Sequence, residues 1–468
     1  MDNEVIIVLD CGATNLRAIA VNASGRIVAK QTAANQTESD SQHSQWHIWS
    51  LENIMNQLNQ CARALMPQLS DYQVVALTVT TFGVDGTLID AKGNLLHPII
   101  SWKCPRTIEV MESIDKYIDA KRLQSISGVG SFSFNTIYKL IWLKENHPEL
   151  IDKAHAWLFI SSLINYRLTG VTSTDRTMAG TSQLLDIHQE QFSQEILDAI
   201  GLNADLFPPM VQASEPIGVL REKAARELGL KKPVPVISTG HDTQFALIGS
   251  GAQPNQPVLS SGTWEILMAR TTAIDTQSLS NYPGSTCELD ACSGLFTPGL
   301  QWLASGTLEW VRELFWPKEA KPDVYQQMIE AARQVPAGCE GLQMQGSLLN
   351  PASHPGWQGL ALNTQRAHFY RAALEHLAQT LSDNLLTLEA IAHFKSEQIL
   401  MVGGGTRNPL WNQLKANATG KTLKILDEPE TTVLGAAMFA FAGIKRYDSI
   451  AQAQAGFEHH YHYIQPSH

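Results

Sequence analysis

Asp10 closes an apolar run, Val5–Leu9, and is followed by Cys11-Gly12-Ala13-Thr14-Asn15 and a second apolar run, Leu16–Val21, interrupted by Arg17. This order reads as strand, tight turn, strand. Gly12 permits a backbone that other residues resist, and Thr14 and Asn15 add short polar donors at the tip. Such a turn can direct backbone N–H groups at a phosphate. Asp10, at the strand end, is placed to hold a water or a metal ion. A similar turn returns at Ser261-Gly262-Thr263, between Val258 and the run Trp264-Glu265-Ile266-Leu267-Met268. Two hairpins of this kind predict two related lobes gripping one nucleotide. A third feature is Gly240-His241-Asp242-Thr243. An Asp at a helix start is commonly an N-cap. The same helix end favours an ionised carboxylate, able to accept a proton from a substrate hydroxyl and aim it at a terminal phosphate. Positioning and charge neutralisation do most of the work in phosphoryl transfer.

These residues need strand ends to present them. After the opening hairpin, Ser50 begins a helix with Leu51, Ile54, Met55, Leu58, Cys61, Ala62 and Leu65 on one face. Val74–Val79 reads as a buried strand, and the loop from Thr80 to Gly86 leads into another strand ending at Ile89. Val234–Ser238 is a strand that feeds Asp242 and a helix. Ligands collect at such strand ends in open α/β sheets. The second half repeats the logic. Phe369–Ile391 is a long helix, Gln398–Val402 a strand, and Gly403-Gly404-Gly405-Thr406-Arg407-Asn408 the loop that follows. Asn408 is a cap, Pro409 the first helical residue and Gly420 the stop. Leu423–Leu426 is a last strand and Thr432–Phe441 a helix of small residues. Breaker residues over 246–257 place an interdomain boundary there, dividing the chain into 1–248 and 249–468.

A chain of 468 residues is too long for one simple core, and 44% apolar residues suffice for two. The net charge of −11 argues against nucleic-acid or anionic-membrane partners. It does not exclude a nucleotide, because backbone donors bind phosphate locally. The six cysteines form no C-x-x-C pair and read as thiols of a reducing compartment. The acidic Met1-Asp2-Asn3-Glu4 start resembles no signal peptide, and no apolar run reaches the ~20 residues of a membrane span. The expectation is a cytoplasmic protein with small-molecule partners, with homo-oligomerisation open.

Two patterns fail on inspection. Thr419-Gly420-Lys421-Thr422 ends like a P-loop, but Lys415 stands where the pattern needs Gly, and a strand rather than a helix follows. Gly403-x-Gly405-x-x-Asn408 misses the dinucleotide fingerprint at its last position. Phe82-Gly83-Val84-Asp85 and Trp102-Lys103-Cys104-Pro105-Arg106 support two readings. They are core aromatics and surface charges, or Asp85 and Arg106 fix sugar hydroxyls while Trp102 and Phe82 cover an apolar edge.

Together these pieces resemble the FGGY family of carbohydrate kinases over about residues 4–445. One family signature fits Phe134 to Asn146; the other fits Trp357-Gln358-Gly359-Leu360 with His368 to Glu375, with Pro355 where a small residue is usual. The resemblance implies an actin/hexokinase-type fold: two ribonuclease-H-like α/β domains and an interdomain cleft. It implies ATP and Mg²⁺. Asp242 is then the catalytic base, and Asp10 and Asp242 lie near the metal. Asp10, Gly12, Thr14, Asn15 and Arg17 match the first phosphate loop, Gly262 and Thr263 the second, and Gly404, Gly405 and Asn408 the adenosine loop. Asp85, Arg106, Trp102, Phe134 and Trp264 fall on the sugar side. Cys104 stands where the wider family commonly carries Asp. Within the family, the loops around Asp85, Arg106, Asp242 and Trp264 resemble those of kinases for 6-deoxy ketoses, L-fuculose first and L-rhamnulose as the alternative. Such a site must meet hydroxyls at one end and a methyl at the other. A distant alternative is an actin-like ATPase without a sugar, which needs an interaction surface the sequence does not display.

Overall fold

The computed structural model describes residues 3–41, 43–318, 323–428 and 430–467. Packing divides the chain into two units. The first holds 1–251, 275–297 and 430–458; the second holds 252–274, 298–429 and 459–468. The division is thus less simple than one cut at 248/249: the chain leaves the first unit at Gly251 and returns to it twice.

The sheet of the first unit is built from β1 (Glu4–Cys11), β2 (Asn15–Asn22), β3 (Ile27–Ala34), β4 (Gln73–Thr81), β5 (Pro216–Val219) and β6 (Pro235–Ile237), in the order β5-β6-β4-β1-β2-β3. β1, β2 and β3 are antiparallel neighbours, β4 and β6 join in parallel, and β5 closes the edge antiparallel. Both faces are covered, since Val5, Ile7 and Leu9 are as fully buried as Ile6 and Val8. That explains why β1 reads as a continuous apolar run rather than an alternating one. Helix Thr431–Gly443 packs on β1 and β4, and helix Leu51–Leu65 on β2 and β3. Ser50 caps the latter by accepting from Asn53 N at 3.3 Å.

The second unit holds β7 (Val258–Ser261), β8 (Trp264–Met268), all of β9 (Phe296–Leu303) from Pro298 on, β10 (Gln398–Val402), β11 (Thr422–Leu426) and β12 (Tyr461–Ile464), which run β9-β8-β7-β10-β11-β12 within a seven-stranded sheet. The pairing repeats that of the first sheet: an antiparallel meander, two parallel additions, an antiparallel edge. Helix Pro409–Thr419 starts at Asn408, whose side chain accepts from Trp411 N at 3.1 Å, and stops at Gly420 with φ 64°. β11 follows it, so the P-loop-like string opens no helix.

Candidate active site

In the first unit three parallel strand ends converge. Asp10 pairs in register with Thr80, and Thr81 N donates to Gly240 O at 2.9 Å, which brings the loop after β6 to the same end. Asp242 opens helix Asp242–Gly249 as its first residue, and the cap position belongs to His241. Asp242 is therefore not the N-cap that helix-start chemistry predicts. Its Oδ1 accepts from Thr243 N at 2.7 Å, and its side chain keeps 31% exposure, available to a ligand. Burial pushes its pKa up, and the charge of Asp10 pushes the same way against the opposing pull of His241. The proton affinity of Asp242 is thus higher than an ordinary carboxylate's, where helix-end stabilisation alone predicts the reverse.

His241 is wedged beside it. Its Nε2 lies 3.5 Å from Asp242 Oδ1 and its Nδ1 lies 3.3 Å from Glu288 Oε2. Burial opposes its charge, yet Glu288, Asp242 and Asp175 together raise its pKa to about 9. Glu288 and Asp175 carry no sequence signal of their own; both act through residues far away in the chain.

Asp10 is 3% exposed. Its Oδ1 accepts from Thr80 Oγ1 at 2.9 Å and its Oδ2 from Arg17 Nε at 2.7 Å. Arg17 also reaches Glu430, which takes Lys30 Nζ at 2.8 Å on its other oxygen. Arg17, expected at a phosphate, is thus shared between two carboxylates. The hairpin tip is partly self-satisfied: Gly12 N donates to Asn15 O at 2.9 Å, and Asn35 Nδ2 holds the Gly12 carbonyl at 2.8 Å. Thr14 and Asn15 are exposed.

The described residues hold no group of three or more His, Cys, Asp or Glu side chains able to enclose a metal ion. That suits Mg²⁺, which uses one or two carboxylates with phosphates and waters rather than a protein cage. Asp242, with a free face, fits as such a carboxylate. Asp10, 3% exposed and bonded to Thr80 and Arg17, fits less openly than Asp242.

Asp85 is fully buried, with Oδ1 paired to Lys139 Nζ and Oδ2 accepting from Trp49 Nε1 at 2.7 Å and Trp102 N at 3.0 Å. All three donors come from within the first unit, and neither oxygen is exposed. Arg106 is 7% exposed; its Nη2 donates to Asp40 at 3.0 Å and its guanidinium lies 4.2 Å and 5.0 Å from the Trp46 and Trp142 rings. It too is packed inside the unit, with Nε against Cys104 Sγ at 3.1 Å. Trp102 keeps 36% exposure and stands edge-on to Phe134 at 6.5 Å, which stacks on Phe132 at 5.2 Å. Val84 has φ 64°, a strained value for a β-branched residue that costs about 1–3 kcal/mol. Lys139 and Trp49 were not singled out by sequence reasoning. A signal exists for Lys139, a single charge among Ile137, Tyr138, Leu140, Ile141, Trp142 and Leu143.

In the second unit, Gly262, Thr263, Gly404, Gly405 and Asn408 line one cavity of about 1180 Å³ together with Tyr370. The carbonyl of Gly262 is held by Ser305 Oγ at 2.7 Å and that of Thr263 by Gly306 N at 3.1 Å. Asn408 Nδ2 donates to Tyr370 OH at 3.2 Å. Beneath the tip, Lys415 is fully buried, paired to Glu265 and donating to Ser261 Oγ at 3.1 Å. A Cβ on Gly405 would lie 2.0 Å from Ser261 Oγ, so only glycine lets the two loops approach. Trp264 is 44% exposed at the start of β8.

Models of the N-terminal and C-terminal domains of the FGGY family of carbohydrate kinases match residues 5–249 and 258–444. The chain belongs to this family. It is 59% identical to L-fuculokinase of Salmonella typhi over 466 residues, covering 100% of this chain and 98% of that protein. Identity to L-fuculokinase of Escherichia coli K12 is 56% over the same span, with the same coverage. Among solved structures, xylulose kinase from Rhodospirillum rubrum superposes with a TM-score of 0.89 over 99% of this chain and 94% of that one, at 22% identity. That likeness establishes the two-domain sugar-kinase fold.

Proposed function

We propose that the chain transfers the γ-phosphoryl group of ATP to the 1-hydroxyl of L-fuculose, giving L-fuculose 1-phosphate and ADP. The observation that carries this reading is identity of 59% and 56%, over essentially the whole length, to two proteins named L-fuculokinase. ATP is assigned to the cavity of the second unit, whose lining holds every glycine expected at the second phosphate and adenosine loops. Mg²⁺, bound with the nucleotide, supplies charge neutralisation on the phosphates. Asp242 accepts the proton of the 1-hydroxyl as that oxygen bonds to phosphorus and the bond to ADP breaks. No helix among the described residues is long and apolar enough to cross a membrane, and we place the enzyme in the cytoplasm.

The test is a panel of L-fuculose, L-rhamnulose, D-ribulose and L-xylulose, ranked by kcat/KM in an ADP-release assay. L-fuculose should rank first. L-rhamnulose in first place would transfer the assignment to the alternative, and ADP release indifferent to every sugar would point to the actin-like ATPase.

Two further results are expected. Because burial and Asp10 raise the pKa of Asp242, kcat should fall on the acid side through an apparent pKa above the 3.8 of an ordinary aspartate. A flat profile down to that value would remove Asp242 from the proton transfer. Trp102→Ala should raise the KM for L-fuculose about tenfold, the scale of one small apolar contact, with kcat little changed. An unchanged KM would take the exposed indole out of the sugar site.

A further inference from the structure

We infer that Asp85 and Lys139 are positioning residues of the acceptor site, a buried ion pair that sets the aromatic surface the sugar meets rather than touching the sugar. The inference rests on the proposed function and on a sugar site that includes Trp102. Four segments distant in sequence meet at the Asp85 carboxylate: its own loop, Trp49, the Trp102 backbone and Lys139. Both members of the pair have 0% side-chain exposure. A carboxylate offers about four acceptor positions, and on Asp85 donors from within the unit already take three of them.

The bonds have a common effect. Trp102 N is held at 3.0 Å, which fixes the backbone that carries the half-exposed indole facing Phe134. Trp49 is held through Nε1 while its ring stacks on Phe82 at 4.8 Å. Lys139 Nζ also donates to Val84 O at 3.1 Å, and Thr136 Oγ1 donates to the same carbonyl at 2.8 Å. These two bonds hold Val84 at φ 64°. Buried ion pairs are often replaceable by neutral residues without loss of stability. Stability alone therefore does not account for this one, whereas the placement of Trp102 and of the loop 82–86 does.

The test uses the full chain. Asp85→Asn/Lys139→Met removes both charges at once and leaves an acceptor for Trp49 Nε1 and the Trp102 backbone N–H. Steady-state kinetics should give a KM for L-fuculose raised about tenfold, the scale of a displaced apolar contact, with the KM for ATP within about twofold of wild type. The preference for L-fuculose over L-rhamnulose should narrow in parallel. A lowered melting temperature with both KM values unchanged, or equal loss for sugar and ATP, would overturn the inference. Should that variant not fold, Trp49→Phe decides. It keeps an aromatic ring against Phe82 but removes the N–H to Asp85 together with part of the buried indole, and should raise the sugar KM alone, by about threefold or more, the scale of one hydrogen bond. An unchanged sugar KM there would equally overturn it. If the wild-type enzyme turns over a different ketose and not L-fuculose, the acceptor assignment fails, and the positioning role is read on that ketose.

Discussion

Replacing Asp242 by Asn is expected to leave ATP and sugar binding intact and to reduce kcat by about 10²–10⁴, the usual contribution of a positioned general base. The amide keeps the size of the carboxylate and its bond from Thr243 N, so the start of the helix is undisturbed. What is lost is the proton acceptor, together with a negative charge beside Asp10. Binding is measured by calorimetry with each substrate, and turnover by coupled ADP release. A near-normal kcat would sink the assignment of Asp242 as base. Part of the loss would come from a weaker hold on Mg²⁺, and raising the Mg²⁺ concentration separates that part, since it restores metal occupancy but not a base.

The second large effect is expected at a helix crossing about one turn from Asp242. Helix Asp242–Gly249 crosses helix Thr431–Gly443 at two glycines. A Cβ on Gly435 would lie 1.9 Å from Phe245 O, and one on Gly249 would lie 1.8 Å from Thr431 O. Both obstacles are backbone, so neither can swing aside. Gly435→Ala should therefore destabilise the first unit by about 3 kcal/mol, the upper range for overpacking. It should also lower kcat by about 10²-fold, because the displaced helix carries Asp242 and misplacement of about 1 Å has that effect. Gly356→Ala, where an added Cβ meets nothing within 4 Å, is the control and should be neutral in both. Thermal melts and kinetics of the pair decide it; a Gly435→Ala protein with wild-type melting would mean that the helices part without strain.

The contrast between local and distant partners explains what could be read beforehand. The opening hairpin, the helix that begins after Ser50, and the Asn408–Pro409–Gly420 helix were legible because their signals lie within a few residues of the structure they specify. The five lining residues of the second unit's cavity were legible for the same reason: each sits on a glycine- or asparagine-marked turn. Asp85 was not. Its three partners stand at positions 49, 102 and 139, and a carboxylate in a polar-looking loop gives no local sign of complete burial. The packing of Arg106 was hidden in the same way, since it lies against Trp46 and Trp142, far from it in the chain. Asp242 was correctly placed at a helix start, but its elevated proton affinity depends on Asp10 and on burial, which only the assembled unit supplies.

The return of 275–297 and 430–458 to the first unit has a consequence for biosynthesis. The core of that unit packs Ile6, Val8 and Ile19 against Val433, Met438 and Phe441. A nascent chain that has reached residue 251 has made its first sheet but not the helix that covers it. At about 5–20 residues per second, the missing segment follows on the order of 10–40 seconds later. During that interval β1 and β4 present a bare apolar face, and all of the second unit except 459–468 is synthesised while the first waits. The newborn enzyme is thus most exposed to aggregation and to chaperones midway through translation, and it closes from its two ends.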